Sequence, residues 1–210
     1  MKKVLVTDWG QVLFHVDHSA VENLIIEGRI AQALELVEKL DKNLVSPSLA
    51  LNEFNRYYFK EPLKLTEFVS LFTGAWHKVN APLLKLYNKL KKKGVRIAAI
   101  TDISEMTFYS ICKRFPKAIG LFFEESENPA ELIITSFEAR AVKKNFTPFS
   151  RACSRFGFSP EEALFVDNDA GNIEIASALG FETFLYEINS ASSNALLENL
   201  SLKLFFPHLK

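Results

Sequence analysis

Carboxylate, hydroxyl and amine side chains follow several short apolar runs of the sequence. Asp8 comes directly after the first run, Thr101 and Asp102 follow a second, and Asp167 follows a later one. Lys143 lies in the loop that leads into the helix before this later run. Metal-assisted phosphoryl transfer needs these groups, namely an oxygen nucleophile, carboxylates for a cation, and donors that hold a phosphate. The residue types therefore predict such a site, provided that the fold brings them together.

The apolar runs are typical of strands that are buried on both faces of a parallel sheet. They cover Lys3–Thr7, Val95–Ile100, Leu132–Thr135, Ala163–Val166 and Thr183–Tyr186. Helical spacing of apolar residues predicts helices over Pro82–Lys93, Ile103–Phe115, Phe146–Phe156 and Gly171–Leu179. This alternation predicts an α/β fold with a doubly wound, Rossmann-like parallel sheet. Ligands of such sheets bind beyond the carboxyl ends of the strands, where the polar side chains lie.

A long stretch after the first strand carries almost only helical patterns. It extends from about Ser19 to His77 and contains no second run of the kind that forms a buried strand. We therefore predict two units. Residues 1–16 and 78–210 form the α/β core, and residues 17–77 form an inserted helical cap.

Four stretches resemble the motifs of the haloacid dehalogenase-like hydrolases, in the order in which that superfamily carries them, and the resemblance covers nearly the whole chain. Each motif alone is weak, and the four together are strong. They are Asp8–Leu13; Ile100–Asp102; Ser136–Glu138 with Lys143 and Phe149; and Phe165–Ile173 with Ala176 and Gly180.

The resemblance implies a role in phosphoryl transfer for three of these residues. Asp8 attacks the phosphorus of the substrate and forms an aspartyl-phosphate. Thr101, with Asp102 beside it, belongs to the phosphate-binding motif. Lys143 balances the negative charge of the nucleophile and the phosphate. Lys144 follows directly, and the six-residue spacing to Phe149 favours Lys143 as the lysine that reaches the site.

The resemblance also implies a Mg²⁺ cofactor and a small phosphorylated substrate. The carboxylates of Asp8 and Asp167 and the carbonyl of Gly10 bind the ion, which prefers oxygen ligands. Asn172 and Asn168 complete or orient this shell. The inserted helices match the position of the cap that selects substrate in the superfamily. Specificity would then depend on cap side chains, namely Arg29, Arg56, Tyr57 and Tyr58.

Gly10 departs from the usual pattern, because most phosphatases of the superfamily carry an aspartate there that protonates the leaving group. Losing such a group costs about 10²–10⁴-fold in rate. A branch that includes sugar-phosphate phosphatases resembles the Asp-x-Gly form. The alternative is a weak or inactive relative that binds a ligand or a protein partner. Dehalogenases lack the metal carboxylates, so Asp167 and Asn172 favour phosphate. His15 or Asp17 is a candidate for the missing acid–base group.

The charge balance and the length of the apolar runs argue against some classes of binding partner. Twenty-five basic residues balance twenty-five acidic ones, so no global field attracts nucleic acid or an anionic membrane. No apolar run approaches the ~18 residues of a membrane span, and the first residues do not form a signal-peptide pattern, so we expect a cytoplasmic protein. Phe122–Ala130 reads as an acidic surface loop. The sequence leaves the oligomeric state open.

Overall fold

The computed structural model describes residues 3–123 and 131–207. Residues 124–130, which make up most of the predicted acidic loop, lie outside the described residues. The described strands are β1 (Val4–Thr7), β2 (Phe14–Val16), β3 (Trp76–Val79), β4 (Arg96–Thr101), β5 (Ile133–Thr135), β6 (Ala163–Asp167) and β7 (Glu182–Leu185). No helix in the described ranges is long and apolar enough to cross a membrane.

The helices cover the stretches in which apolar residues recur at helical spacing. They are α1 (Ser19–Glu22), α2 (Ile30–Asp41), α3 (Pro47–Tyr57), α4 (Leu65–Gly74), α5 (Ala81–Lys92), α6 (Glu105–Arg114), α7 (Pro116–Ile119), α8 (Ser136–Ala139), α9 (Thr147–Phe156), α10 (Ala170–Ala178) and α11 (Ala191–Phe205). The side chains of Ser46 and Asn80 accept hydrogen bonds that cap α3 and α5, and both helices begin near a proline. The sequence patterns did not predict α11.

Five of the strands form one parallel sheet in the order β5-β4-β1-β6-β7. This confirms the predicted Rossmann-like α/β fold. β1 lies at the centre, and the chain continues to β4 on one side and later to β6 on the other. The order of the strands reverses at β1, and the crevice at such a switch point is where ligands of open α/β sheets bind.

The strands β1, β4, β5 and β6 are buried on both faces, as their apolar runs predicted, whereas the residues of the edge strand β7 are exposed or half-buried. Leu5 packs with Tyr87 and Ile111 in one hydrophobic cluster, which also includes residues of α5 and α11. The neighbouring residues Val4 and Val6 point the other way, into a second cluster with side chains of α9 and α10. Successive residues of a strand face opposite sides of the sheet, so β1 contributes to both clusters.

The insertion between β2 and β3 consists of α1–α4 and has a hydrophobic cluster of its own, centred on Phe54 and Phe68. β2 and β3 pair antiparallel, which brings the two ends of the insertion together. The helical pattern predicted up to His77 is wrong at its end, because Trp76 and His77 lie in β3. Backbone pairing with β2 and burial of the Trp76 ring override the local pattern there.

Candidate active site

Asp8 lies at the carboxyl end of the central strand and is 6% exposed. Its backbone N–H donates to the carbonyl of Val166 at 2.9 Å, which fixes it against β6. The chain then turns back at Gln11, a non-glycine residue with φ of +54°. The Gln11 backbone N–H and side-chain amide donate to the carbonyls of Phe14 and Val16, at 2.8 and 2.7 Å. These bonds stabilise the left-handed conformation, so the turn after Asp8 is firmly held.

Lys143 brings the predicted site residues together. Its ammonium lies 2.5 Å from Oδ1 of Asp8 and 2.9 Å from Oδ2 of Asp167, and the side chain is 2% exposed. The backbone N–H of Lys143 donates to both carboxylate oxygens of Asp102, at 3.1 and 3.2 Å. Asp102 therefore positions the lysine through its main chain. Lys144 is exposed, so the structure places Lys143 and not its neighbour in the cluster.

Asp167 is completely buried at the end of β6, and two donors orient its carboxylate. The backbone N–H of Asp169 donates to Oδ1 at 2.9 Å, and the side-chain amide of Asn172 donates to Oδ2 at 3.2 Å. Asp169 also accepts from the N–H of Asn172 and caps α10, a role that a carboxylate commonly takes. Asn168 is exposed.

Thr101 ends β4 and is 1% exposed, yet its hydroxyl has no hydrogen-bond partner among the residues that the structure describes. Thr7 of β1 pairs with Ala99 of β4, so Asp8, which follows β1, and Thr101, the last residue of β4, lie at the carboxyl ends of adjacent strands. Buried hydroxyls are almost always hydrogen-bonded, because leaving one unpaired costs about 1–3 kcal/mol. An unpaired hydroxyl next to the ion-paired cluster indicates a place for a ligand oxygen.

Burial and charge perturb the titration of this cluster. Burial raises the pKa of Asp8 from 3.8 to about 7; Lys143 opposes this effect and the charge of Asp167 adds to it. Burial alone would lower the pKa of Lys143, but the carboxylates of Asp8, Asp167 and Asp102 hold it above its usual value. The lysine is therefore a permanent cation that faces acidic partners.

The residues present fit a Mg²⁺ ion by the chemistry of their donors. Asp8 and Asp167 face the same ammonium group, and their oxygens are hard ligands of the type that Mg²⁺ prefers. No group of three or more histidine, cysteine or acidic side chains suited to a metal occurs within residues 3–123 and 131–207. Mg²⁺ does not require one, since it is usually bound by one or two carboxylates together with water.

Gly10 faces the ring of Trp76, which lies in β3. A Cβ atom at position 10 would lie 3.2 Å from Cη2 of that ring. Trp76 is 8% exposed and packs on Phe14, with ring centroids 6.2 Å apart. A side chain at position 10 therefore requires Trp76 to move.

Among the described residues, neither of the two suggested acid–base replacements forms a hydrogen bond or an ion pair with Asp8, Thr101, Lys143 or Asp167. Asp17 lines a cavity of about 690 Å³ between α1, α4 and His77, and none of the site residues Asp8, Thr101, Lys143 and Asp167 lines it. The Asp17 carboxylate accepts from the N–H of Ser19, which lowers its pKa. His15 lies in β2, with its ring 6.2 Å from that of His77.

Of the suggested specificity residues, Arg29 lies at the start of α2 and is exposed. The Arg56 guanidinium lies 5.1 Å above the ring of Tyr57, and Tyr58 packs into the cluster inside the insertion.

The opposite end of α2 meets the sheet. The hydroxyl of Ser136 donates to the carbonyl of Asp41 at 2.7 Å. Sequence reasoning gave no role to Asp41, because no local signal reports a contact across 95 positions.

No protein-family model and no curated protein sequence matches the chain. Solved structures do. A HAD family enzyme from Bacteroides thetaiotaomicron is 19% identical, with 93% of this chain and 98% of that one aligned at a TM-score of 0.77. The wild-type complex of that enzyme with magnesium and inorganic phosphate is 18% identical, with 93% of this chain and 99% of that one aligned at a TM-score of 0.73. A predicted HAD-like family hydrolase from Porphyromonas gingivalis is 20% identical, with 95% of this chain and 98% of that one aligned at a TM-score of 0.70.

These likenesses show that the chain has the fold of the haloacid dehalogenase-like enzymes. The superfamily resemblance that four short motifs predicted is confirmed at the level of the fold.

Proposed function

We propose that the protein is a Mg²⁺-dependent phosphatase that acts on a small phosphorylated metabolite, such as a sugar phosphate, through an aspartyl-phosphate on Asp8. One observation carries the proposal: the buried ammonium of Lys143 contacts both Asp8 and Asp167. The related enzyme from Bacteroides thetaiotaomicron was crystallised with magnesium and inorganic phosphate, which supports the same ligands here.

In the proposed reaction, an oxygen of Asp8 attacks the phosphorus, and the bond to the leaving oxygen breaks. Lys143 offsets the charge that accumulates on the phosphoryl oxygens, and the hydroxyl of Thr101 donates to one of them. Asp102 holds Lys143 in place through its backbone N–H. The carboxylates of Asp8 and Asp167 and the carbonyl of Gly10 would hold Mg²⁺, with Asn172 orienting Asp167. The ion, when bound, neutralises phosphate charge.

The insertion is proposed as the cap over this site, with residues 17–77 as one unit and residues 1–16 and 78–210 as the other. Asp8, Thr101, Lys143 and Asp167 are each less than a tenth exposed. The hydrogen bonds that join the insertion and β3 to the sheet side include that of Ser136 and two from Arg114 to the carbonyls of Thr73 and Trp76, at 2.6 and 2.7 Å.

The test is hydrolysis of an aryl phosphate and of a panel of sugar phosphates, with Mg²⁺ or with chelator. Wild type should turn over at least one substrate with Mg²⁺. Asp8→Asn should be inactive, because an amide is not a nucleophile here. Phosphate incorporated from a labelled substrate should be acid-stable, base-labile and absent from Asp8→Asn.

A second candidate function is binding without turnover. Gly10 favours it, since this residue has no side chain to donate a proton and the Trp76 ring lies 3.2 Å from where its Cβ would be. Calorimetric binding of inorganic phosphate with Mg²⁺, together with turnover no higher than that of Asp8→Asn on every substrate, would support this function over the first.

A further inference from the structure

The proposed reaction lacks a proton donor at its usual place. A sugar alkoxide is a poor leaving group unless it is protonated as the bond breaks. Gly10 has no side chain, the Trp76 ring closes the space beside it, and Asp17 faces a different cavity. We therefore looked for a donor on another element that reaches the carboxyl edge of the sheet.

The carboxyl end of α2 is such an element. Asp41 is its last residue, and the Asp41 carbonyl accepts the hydroxyl proton of Ser136 at 2.7 Å. The same Ser136 oxygen accepts from the N–H of Ile103 at 2.9 Å. Ile103 is two residues beyond Thr101, so one hydroxyl joins the end of α2 to the ends of β4 and β5. This junction lies beside the unpaired Thr101 hydroxyl.

The side chain of Asp41 is partly buried and forms neither a hydrogen bond nor an ion pair with any described residue. Two carboxylates face it, that of Asp102 from the end of β4 and that of Glu38 from the preceding turn of α2. The nearby cation Lys42 pairs with Glu38 at 2.9 Å, and Ser136 of α8 is uncharged. Burial first, then Asp102 and Glu38, raise the pKa of Asp41 from 3.8 to about 8. A group with this pKa carries a proton at neutral pH.

We propose that Asp41 supplies the proton that position 10 does not. This inference rests on the proposed phosphatase function. As Asp8 bonds to phosphorus and the ester bond breaks, the Asp41 carboxylic acid protonates the leaving oxygen, and the product departs as an alcohol. The Asp41 carboxylate then accepts a proton from the water that attacks the aspartyl-phosphate. This step releases inorganic phosphate, restores Asp8 and returns Asp41 to the acid form.

The test is a leaving-group comparison in single turnover, with enzyme in excess and Mg²⁺ present. One substrate is a sugar phosphate that wild type hydrolyses. The other is 2,4-dinitrophenyl phosphate, whose phenolate leaves without a proton. Asp41→Asn should slow the sugar phosphate by about 10²–10⁴-fold and the aryl phosphate by less than about tenfold. Asp41→Glu should restore part of the loss on the sugar phosphate.

Glu35→Gln is the matched control, because Glu35 is an exposed carboxylate of α2 and is not one of the groups that raise the pKa of Asp41. It should keep the wild-type ratio of the two rates. Equal losses on both substrates in Asp41→Asn, or no loss on either, would overturn the proposal while the phosphatase function stands. A wild type without turnover or phosphate incorporation would overturn the phosphatase function and the role of Asp41 with it.

Discussion

At the scale of single residues, Lys143 forms ion pairs that join two parts of the site. It is almost completely buried and contacts two carboxylates, Asp8 and Asp167. Lys143→Met should reduce turnover by at least about 10²-fold, because the charge of the phosphoryl group is then unbalanced. It should also lower the free energy of unfolding by about 3–5 kcal/mol, since removing one partner leaves buried carboxylates unpaired. Turnover and urea unfolding measure the two effects.

Lys144→Met is the control for this substitution, because Lys144 is adjacent and exposed. Exposed substitutions usually change stability by no more than about 0.5 kcal/mol. If Lys144→Met lost as much activity as Lys143→Met, the assignment of Lys143 to the site would be wrong.

The perturbed titration of Asp41 predicts how stability depends on pH. The pKa is 3.8 in a model peptide and about 8 in the folded protein, mainly because of burial. Between these values the folded state holds a proton that the unfolded chain has lost, so the contribution of Asp41 to stability falls as pH rises through this window and is lost above about pH 8. As pH rises from 5 to 9, the melting temperature of Asp41→Asn should therefore fall less than that of wild type.

Asp17→Asn provides the comparison for this experiment. Hydrogen bonds from Ser19 lower the pKa of Asp17, so that group is ionised in both states over the same window. Its melting temperature should follow that of wild type. An Asp41→Asn curve parallel to wild type from pH 5 to pH 9 would show that Asp41 is ionised in the folded protein.

The residues at strand ends could be predicted from the sequence, whereas their partners could not. Asp8, Thr101 and Asp167 follow apolar runs, and parallel strands bring such ends together. Lys143 was found through its spacing in a motif. The contact of Ser136 with Asp41 leaves no comparable trace, because it joins an inserted helix to a strand end across 95 positions. Only the packing of the insertion on the sheet reveals it.

Among the elements, the turn after β1 and the strand β3 are in direct contact through Gly10 and Trp76. Gly10→Ala places a Cβ 3.2 Å from the indole ring, so the ring must shift within a packed cluster. We expect a loss of about 1–3 kcal/mol in the free energy of unfolding, as for other overpacked sites. Urea unfolding measures this value.

A double-mutant cycle with Trp76→Leu tests whether the indole is the cause. Leu lacks the ring atoms that face position 10, so Gly10→Ala should cost clearly less in that background. Equal costs of Gly10→Ala in both backgrounds would place the strain in the backbone turn instead. Gly74→Ala is a neutral comparison, because no atom lies within 4 Å of a Cβ at that position.

The strands β2 and β3 show where the prediction of secondary structure from the sequence fails. Short apolar runs identified the strands of the sheet, and the signal is continuous in β1, β4 and β6 because these strands are buried on both faces. β2 and β3 have only three and four residues, and β3 follows a helix whose pattern continues into it. Their pairing is set by contact between two distant segments, and neither segment specifies it alone.

At the scale of the whole molecule, three hydrophobic clusters divide the chain. Two lie on the faces of the sheet, and the third lies within the insertion. Composition and periodicity were sufficient to predict this α/β organisation with a helical insertion. They could not predict how the insertion meets the sheet, since few polar contacts determine it and no apolar run marks them.

If Asp8 acts as proposed, a phosphate must reach a carboxylate that is 6% exposed and lies beside the buried side chains of Lys143 and Asp167, so we expect the molecule to open locally. The sheet is held by four pairs of adjacent strands, whereas Ser136 holds the end of α2 through one hydroxyl. Opening should therefore begin at that junction. Ser136→Ala removes bonds worth about 1–1.5 kcal/mol, which corresponds to about tenfold faster amide exchange at residues 38–46 and 101–105. Ser150→Ala, on the exposed side of α9, should leave exchange unchanged. Faster exchange throughout β1 and β6 as well would mean that Ser136 stabilises the sheet as a whole, and that access to Asp8 begins at another contact.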